Sequence, residues 1–552
     1  MKKKKKMFYG RLFCRIFTVV FVSCIHFSAS GEVLPDVHAL DIPDPFLAEA
    51  YHQAAEKNVL AAVNPGVFPG YWSVCADGQG FGYGNTYPSL DGHQLADALL
   101  WLGQLETVKQ NWDYVRQYLR SDGTLPIAIF PALVGQTQFA DGVPLDPNGG
   151  LYKHWVPGNP LEALAAPTFI ANTLVLFEYE QDVDWLAERI DAVNLAAEQL
   201  ASLTTEEGRV RGAGFYVERP TRIDSDGVTQ SHAVNAFLQT AAMNRVLGRE
   251  EDAAKYTKLA ETVRRFFVEN FWQKDHFAEY FSPERGFISH HGLTDSDWGG
   301  VAFGLATPEQ LAMLWPKLAR EEGFYYGNMP AGIATKPETY EDWEFSHPDR
   351  HDLGAMGRVW YLMAQAQYCQ NDAEGLLQGL LAVAREGEKN DFYWRERYHP
   401  DGKGGNVPAG PNTYCEYPAN FVRIMHRFLF GIDLRLDGTI VIAPLVTDPF
   451  WEAGFGQQLD LPGRSLTYRF TRDGVTGTWR GEKPLRIGFR LNGAPQKSEV
   501  QVLVNDVQQS CEQENHLLWI VLPSNQINQE NNQTNGENER LTFQIRRLEA
   551  NN

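Results

Sequence analysis

The sequence predicts a mainly α-helical chain, an (α/α)6 toroid of six helical hairpins followed by a C-terminal β-sandwich. Three observations carry this prediction. Between about residues 46 and 430, twelve segments keep the apolar spacing of amphipathic helices. Their connections alternate between tight turns and stretches of about 20 to 40 residues, far beyond the usual loop length. From Gly431 onward the pattern changes to short β-branched or alternating runs separated by turn signals.

The first helix is expected over Phe46–Val63. Five close pairs follow: Leu90–Leu102 with Thr107–Leu119, Leu161–Glu180 with Asp184–Leu203, Gln230–Leu247 with Glu251–Trp272, Trp298–Leu305 with Pro308–Arg320, and Asp352–Gln370 with Ala373–Glu386. Tyr417–Phe430 is the twelfth. The even-numbered helices are richer in small and apolar residues, such as Ala96, Ala98 and Leu99 or Gly354, Ala355 and Gly357, which suits a crowded inner layer. Helices 3, 5, 7 and 11 carry more charge and suit an outer one. The sandwich strands are expected at Thr439–Ala443, Ser465–Phe470, Val475–Trp479, Leu485–Leu491, Val500–Val504, Leu517–Val521 and Leu541–Ile545. Asp437-Gly438, Asp473-Gly474 and Asn492-Gly493 supply turns. Ser524–Glu539 is rich in Asn and Gln and reads as a long hairpin loop. The expected domains are therefore residues 31–430 for the helical ring and 431–552 for the sandwich.

Residues 1–30 read as a secretory signal peptide. Lys2 to Lys6, Arg11 and Arg15 form a basic start, Ile16 to Phe27 is an apolar stretch too short to span a bilayer, and Ser28-Ala29-Ser30 is a small-residue cleavage site. Export to the periplasm or the medium is the expectation. Cleavage ahead of Cys24, as in a lipoprotein, is the weaker alternative. No later apolar run approaches membrane-spanning length. The chain carries 49 basic and 69 acidic residues, a net charge of -20. Loss of the seven basic residues of the leader makes it more acidic still, which disfavours nucleic acid and anionic lipid as partners. Cys75, Cys369, Cys415 and Cys511 match no zinc spacing and are too scattered for a disulfide scaffold. No cofactor is implied, and the sequence carries no mark of oligomeric state.

If the hairpins close into a ring, all six long loops emerge at one end, and each brings carboxylates, aromatics or both. The loop before the second helix holds Trp72, Asp77, Asp91 and His93. The next holds Trp155, and the third Glu218, Arg222 and Asp226. The fourth holds Asp295, Asp297 and Trp298, and the fifth Trp343, Glu344, Arg350 and His351. The last two features are Trp394 and Glu416. A pyranose explains such a mixture, because its C–H faces stack on indole and phenol rings while its hydroxyls bond to Asp, Glu, Arg and His. Glycoside hydrolysis then needs two carboxyl groups, one to protonate the leaving oxygen and one to activate water or attack the anomeric carbon.

Paired helices with long loops at one end, followed by a β-sandwich, resemble the six-hairpin glycosidase superfamily, the (α/α)6 barrels of glucoamylases, trehalases and α-L-rhamnosidases. The resemblance is architectural, covers about residues 40–550 and assigns no single family. It implies an inverting glycoside hydrolase with the acid in the loop between helices 5 and 6 and the base just before helix 12. In this sequence those places hold Glu218 in Tyr-Val-Glu-Arg-Pro and Glu416 in Tyr-Cys-Glu-Tyr-Pro, with Asp297 a further catalytic candidate. A carboxylate separation of about 6.5 to 9.5 Å is the mark of inversion.

Each candidate also has a plainer reading. Glu218 can pair with Arg219 or Arg222, and Glu416, Asp91 and Asp297 can serve as helix caps. Indoles inside helices are ordinarily core. His347 and His351 are spaced by four residues, but Pro348 argues against one continuous helix, and no metal is expected there. Three alternative functions remain. A polysaccharide lyase or epimerase would draw on His93, His154, His291 or His351 as base. An unsaturated-uronide hydrolase would need one carboxylic acid. A non-catalytic sugar-binding protein would leave the dense carboxylates unexplained.

Overall fold

A computed structural model describes residues 39–76, 87–126, 128–129, 162–212, 224–345, 350, 352–524 and 540–548. The helices, in chain order, are α1 (Pro45–His52, running on as a π-helical turn to Val59), α2 (Ser89–Trp101), α3 (Leu105–Arg116), α4 (Ala165–Glu180), α5 (Val183–Ala187), α6 (Ile190–Ser202), α7 (Gly227–Val246), α8 (Glu250–Phe266), α9 (Asp295–Ala302), α10 (Pro308–Leu318), α11 (Gly357–Cys369), α12 (Ala373–Lys389) and α13 (Glu416–Ile424).

Six of them form a closed circuit of contacts. α2 packs on α4, α4 on α7, α7 on α9, α9 on α11, α11 on α13, and α13 back on α2. The remaining helices lie against this circuit, α3 and α6 on α4, α8 on α7, α10 on α9, and α12 on α11 and α1. Burial separates the layers. Twelve of the 16 residues of α4 are buried. In α8 the buried residues are Ala253, Tyr256, Ala260 and Val263, spaced at three or four positions along one stripe. Local chemistry fixes the ends. Asp44 accepts the Phe46 and Leu47 N–H groups at the start of α1. Thr307 and Gln310 form a capping box on α10 with Pro308 at its first position.

One expected helix is broken. Asp184–Leu203 divides into α5 and α6 around Glu188–Arg189, with no Gly or Pro at the break. The Arg189 guanidinium is held by Asp113 of α3 at 3.1 Å and lies over Trp185 and Trp112, so a tertiary contact overrides a favourable local pattern.

The C-terminal region is two sheets. The seven-stranded one runs Leu40–Asp41, Phe455–Leu461, Arg464–Thr471, Gly474–Gly481, Leu541–Arg547, Val500–Val504, Val507–Gln509. The five-stranded one runs Ile432–Leu434, Ile440–Ile442, Leu485–Phe489, Leu517–Leu522, Glu512–Glu514. All seven expected strands are present. Phe455–Leu461 was missed because Gly456, Gln457 and Gln458 blur its alternation, although Gly456 and Gln457 are buried. Its outer neighbour comes from the other end of the chain, Leu40 pairing with Gln457. The sheets meet the far ends of the inner helices: Tyr368 bonds to the Ala443 carbonyl, Tyr179 to that of Asp460 and Gln181 to that of Arg435. The opposite ends, where the long connections enter, are left for a site.

Candidate active site

The first turns of α2, α11 and α13 bring together Asp91, Arg358 and Glu416. Gly357 makes this approach possible, since a Cβ there would lie 2.9 Å from the Glu416 carbonyl carbon and the Tyr417 nitrogen. With the helices in contact, the Arg358 N–H, one of the donors left over at the start of α11, reaches across to Glu416 Oε1 at 2.5 Å. The Arg358 guanidinium Nε lies 2.9 Å from the same oxygen, as a charge contact with poor hydrogen-bond alignment. Glu416 is 1% exposed, and its Oε2 has no hydrogen-bond partner among the described residues.

Further charges come from the hairpin of Arg397–Pro400 with Asn406–Ala409. Glu396 just before it is buried and 2.8 Å from Arg397 Nη2, while Arg397 Nη1 lies 3.5 Å from Asp352. Tyr414, bridged to Cys75, donates to Asp91. Burial pushes Glu416 up to about 8 against the pull of Arg358, and Asp91 and Glu396 push it further. Asp91 is raised for the same leading reason, with Arg358 again opposing. Asp91 and Glu416 therefore compete for the stabilisation offered by Arg358.

Behind this cluster a cavity of about 620 Å³ runs between the inner helices, with Arg358 in its wall at one end and Asp433 and Arg435 at the other. His93 faces it, bonded to Asn172 at 2.8 Å and pushed down to about 4 by burial and by Arg423, so its imidazole is neutral at pH 7. Asp97 binds Arg423 at 2.8 Å and Arg427 at 2.7 Å; burial opposes its charge, but the two guanidiniums hold it well below the carboxylate range.

A second buried group lies between the segments before α9 and before α11. His291 Nδ1 is 2.5 Å from Glu279 Oε2, and its Nε2 is 3.3 Å from Glu344 Oε1. Tyr280 donates to Glu344 at 2.6 Å and Tyr340 to Glu279 at 2.7 Å. Burial opposes a charge on His291, but the two carboxylates raise it to about 9. Among the described residues, His290, His291 and Glu344 are the group whose side-chain atoms fall together as metal ligands would.

The other expected site residues divide by what they touch. Asp297 is not placed for catalysis. It is fully buried, and its two oxygens accept the Phe277 N–H at 2.7 Å and the Thr294 N–H at 2.8 Å as part of the cap of α9. Asp295 is buried beside it in the first turn, and Asp226 accepts the Thr229 hydroxyl at 2.8 Å where α7 begins. Trp72, Trp298 and Trp394 are core residues and not sugar platforms, each at most 1% exposed, with the Trp394 indole donating to the Val383 carbonyl. Glu344 is likewise enclosed, held by Tyr280 and His291. Trp343 is partly exposed, with Arg285 over its ring at 3.9 Å, and Arg350 holds Asp342. Asp77, Trp155, Glu218, Arg222 and His351 lie outside the described residues. The sequence reading passed over Arg358, Glu396 and Arg397. An arginine among the apolar residues of an inner helix, and a Glu between two Arg inside an aromatic run, were the available signals.

No protein-family profile matches the chain, and no curated protein resembles it in sequence. Among solved structures, it is similar to an α-L-rhamnosidase from Dictyoglumus thermophilum, with TM-score 0.58 and 12% identity over 93% of this chain and 50% of that one. A Streptomyces avermitilis α-L-rhamnosidase complexed with L-rhamnose gives TM-score 0.54 and 13% identity over 93% and 42%. A sialidase gives TM-score 0.54 and 14% identity over 79% and 38%. The chain thus spans half or less of the length of these structures, and the likeness is one of fold. No helix among the described residues is long and apolar enough to cross a membrane.

Proposed function

We propose that the chain is an exported glycoside hydrolase on an (α/α)6 toroid, cleaving an O-glycosidic bond of an oligo- or polysaccharide with a carboxyl pair that includes Glu416. One observation carries the reading, the cluster of Asp91, Glu396 and Glu416 around Arg358 at the loop-bearing end of the inner helices, with one Glu416 oxygen unpartnered among the described residues. Hydrolysis requires one carboxyl protonated, to donate to the leaving oxygen, and one ionised, to activate water. Burial raises Glu416 to about 8 and raises Asp91 as well, which favours a proton on this pair, while Arg358 opposes both shifts and favours an anion beside it. Glu218 is proposed as the second member, on the architectural resemblance alone. The closed circuit of inner helices supports the toroid, and the rhamnosidase neighbours support a glycosidase.

The test is a panel of aryl glycosides, α-L-rhamnosides among them, assayed for aglycone release, with the anomer of the first product read by NMR. Glu416→Gln is expected to abolish turnover. Rescue by a better leaving group marks Glu416 as the acid, and rescue by azide marks it as the base. Full activity in Glu416→Gln would remove the residue from the mechanism. A second reading, an unsaturated-uronide hydrolase or lyase, draws on Arg358 and Arg397, whose guanidiniums suit a substrate carboxylate. An ultraviolet-absorbing unsaturated substrate or product would favour it.

A further inference from the structure

The segment His290-His291-Gly292 is held in place on both sides. Lys336 N–H donates to the His291 carbonyl at 3.0 Å, Thr335 N–H to that of Leu293 at 2.9 Å, and Asp295 N–H to that of Ile333 at 3.2 Å. Gly292 takes φ +79, and a side chain there would collide with Thr335. The His291 ring stacks on Tyr340 at 3.7 Å, and its Nδ1 is fixed by fully buried Glu279, whose other oxygen takes the Tyr340 hydroxyl. The ring therefore has one orientation, with Nε2 aimed at Glu344 Oε1. Glu344 is itself fixed, by Tyr280 on one oxygen and the Glu341 N–H at 2.8 Å on the other. The gap of 3.3 Å is long for a charge-assisted hydrogen bond, which prefers about 2.7–2.9 Å.

That spacing has another meaning. Ligand atoms bound about 2.0–2.1 Å from a tetrahedral metal ion lie roughly 3.3 Å from one another. His290 is exposed next to His291, with ring centroids 4.2 Å apart, and the ligand atoms of His290, His291 and Glu344 all lie within 4.8 Å of one another. A modest rotation of the exposed ring completes a face of three donors. Glu279 on the far nitrogen of His291 is the outer partner that metal-binding histidines characteristically have. Two imidazoles and one carboxylate favour zinc-like ions over calcium or magnesium, which prefer all-oxygen shells.

We propose that His290, His291 and Glu344 bind a divalent transition-metal ion of the zinc type, with Glu279 orienting His291 and His290 closing the site from the solvent side. The ion would tie the segment before α9 to the segment carrying Tyr340 and Glu344, and its fourth position would face solvent beside His290. The proposal is independent of the glycosidase reading.

The test uses the purified full chain stripped with EDTA and titrated with Zn²⁺ by calorimetry, with Mg²⁺ as control. Co²⁺ substitution gives a second readout through the visible absorption of a tetrahedral ion. One equivalent of Zn²⁺ is expected to bind and raise the melting temperature, with Mg²⁺ inert. His290→Ala is expected to weaken Zn²⁺ binding by about tenfold or more while leaving the metal-free melting temperature unchanged, because His290 is exposed. Glu344→Gln is expected to remove the Co²⁺ spectrum. Absence of stoichiometric Zn²⁺ binding, or equal binding by His290→Ala and wild type, would overturn the proposal.

Discussion

Replacing Glu416 by Gln separates electrostatic cost from chemistry, because the amide keeps the shape and loses the charge. In the folded chain burial lifts Glu416 from 4.5 to about 8. The sign follows directly. A carboxyl whose folded pKa is raised contributes its full share of stability below about 4.5 and loses it as the pH climbs through about 8. Each tenfold change in proton affinity is worth about 1.4 kcal/mol, so the displacement sets an upper bound of roughly 5 kcal/mol on what wild type loses between acid and alkaline pH at this residue. Asp91 is raised by the same burial and is coupled to Glu416, so about half of that is expected at Glu416 itself. Urea denaturation at pH 5, 7 and 9, with exposed Glu261→Gln as control, measures it. Glu416→Gln is expected to match or fall slightly below wild type at pH 5 and to overtake it by about 2–3 kcal/mol at pH 9. A stability difference constant across the three pH values would refute the claim that this carboxyl is held protonated by its surroundings.

Asp97→Ala leaves Arg423 and Arg427 without the buried carboxylate they share, so a loss of about 3–5 kcal/mol is expected in urea denaturation at pH 7. Gly357→Ala introduces a methyl against the Glu416 backbone and separates α11 from α13; a displacement of even about 1 Å costs catalysis on the order of a hundredfold, so kcat/KM on the best aryl glycoside is expected to fall far more than stability does. Glu279→Gln in metal-free protein removes one of two carboxylates that hold His291 charged. The stability it forfeits is full below about 6.5 and fades as pH rises through about 9, so the gap to wild type is expected to be about 3 kcal/mol at pH 6 and to shrink at pH 10, measured by thermal melts across that range.

Much of the fold was legible because hairpin alternation is a long-range pattern written in local signals. Tight turns and long connections strictly alternate, and Gly248 and Thr307-Pro308 mark ends by their own chemistry. What escaped was decided elsewhere. The break between α5 and α6 depends on Asp113, 76 positions from Arg189, and the strand Phe455–Leu461 depends on pairing with both Leu40–Asp41 and Arg464–Thr471. In the site, Glu416 stood out through its place before a helix, and Asp91 likewise. Trp394 drew attention in the same run where Glu396 and Arg397 face the cluster, because an indole in a loop looks like a platform until its nitrogen is seen bonded to Val383. Burial of an aromatic depends on what covers it, and no property of the loop's own residues reports that.

The acids at the starts of the inner helices pose a sharper question, since a helix start attracts carboxylates whether or not a site is present. Asp226, Asp297 and Glu416 all occupy such positions, so location alone cannot separate cap from catalyst. Hydrogen-bond inventory can. Asp297 gives one oxygen to each of two backbone N–H groups, which leaves a proton nowhere useful to go despite a pKa raised to about 7 by burial. Glu416 gives one oxygen to the Arg358 backbone and, among the described residues, keeps the other unpartnered, next to a guanidinium and to two further carboxyls. A raised pKa is therefore a mark of burial common to both, and the unspent oxygen is what distinguishes a group able to exchange a proton with a ligand. On that criterion Asp91, whose Oδ1 is also buried without a partner among the described residues, belongs with Glu416, and Asp91→Asn is expected to alter the pH profile of turnover while Asp297→Asn alters stability alone.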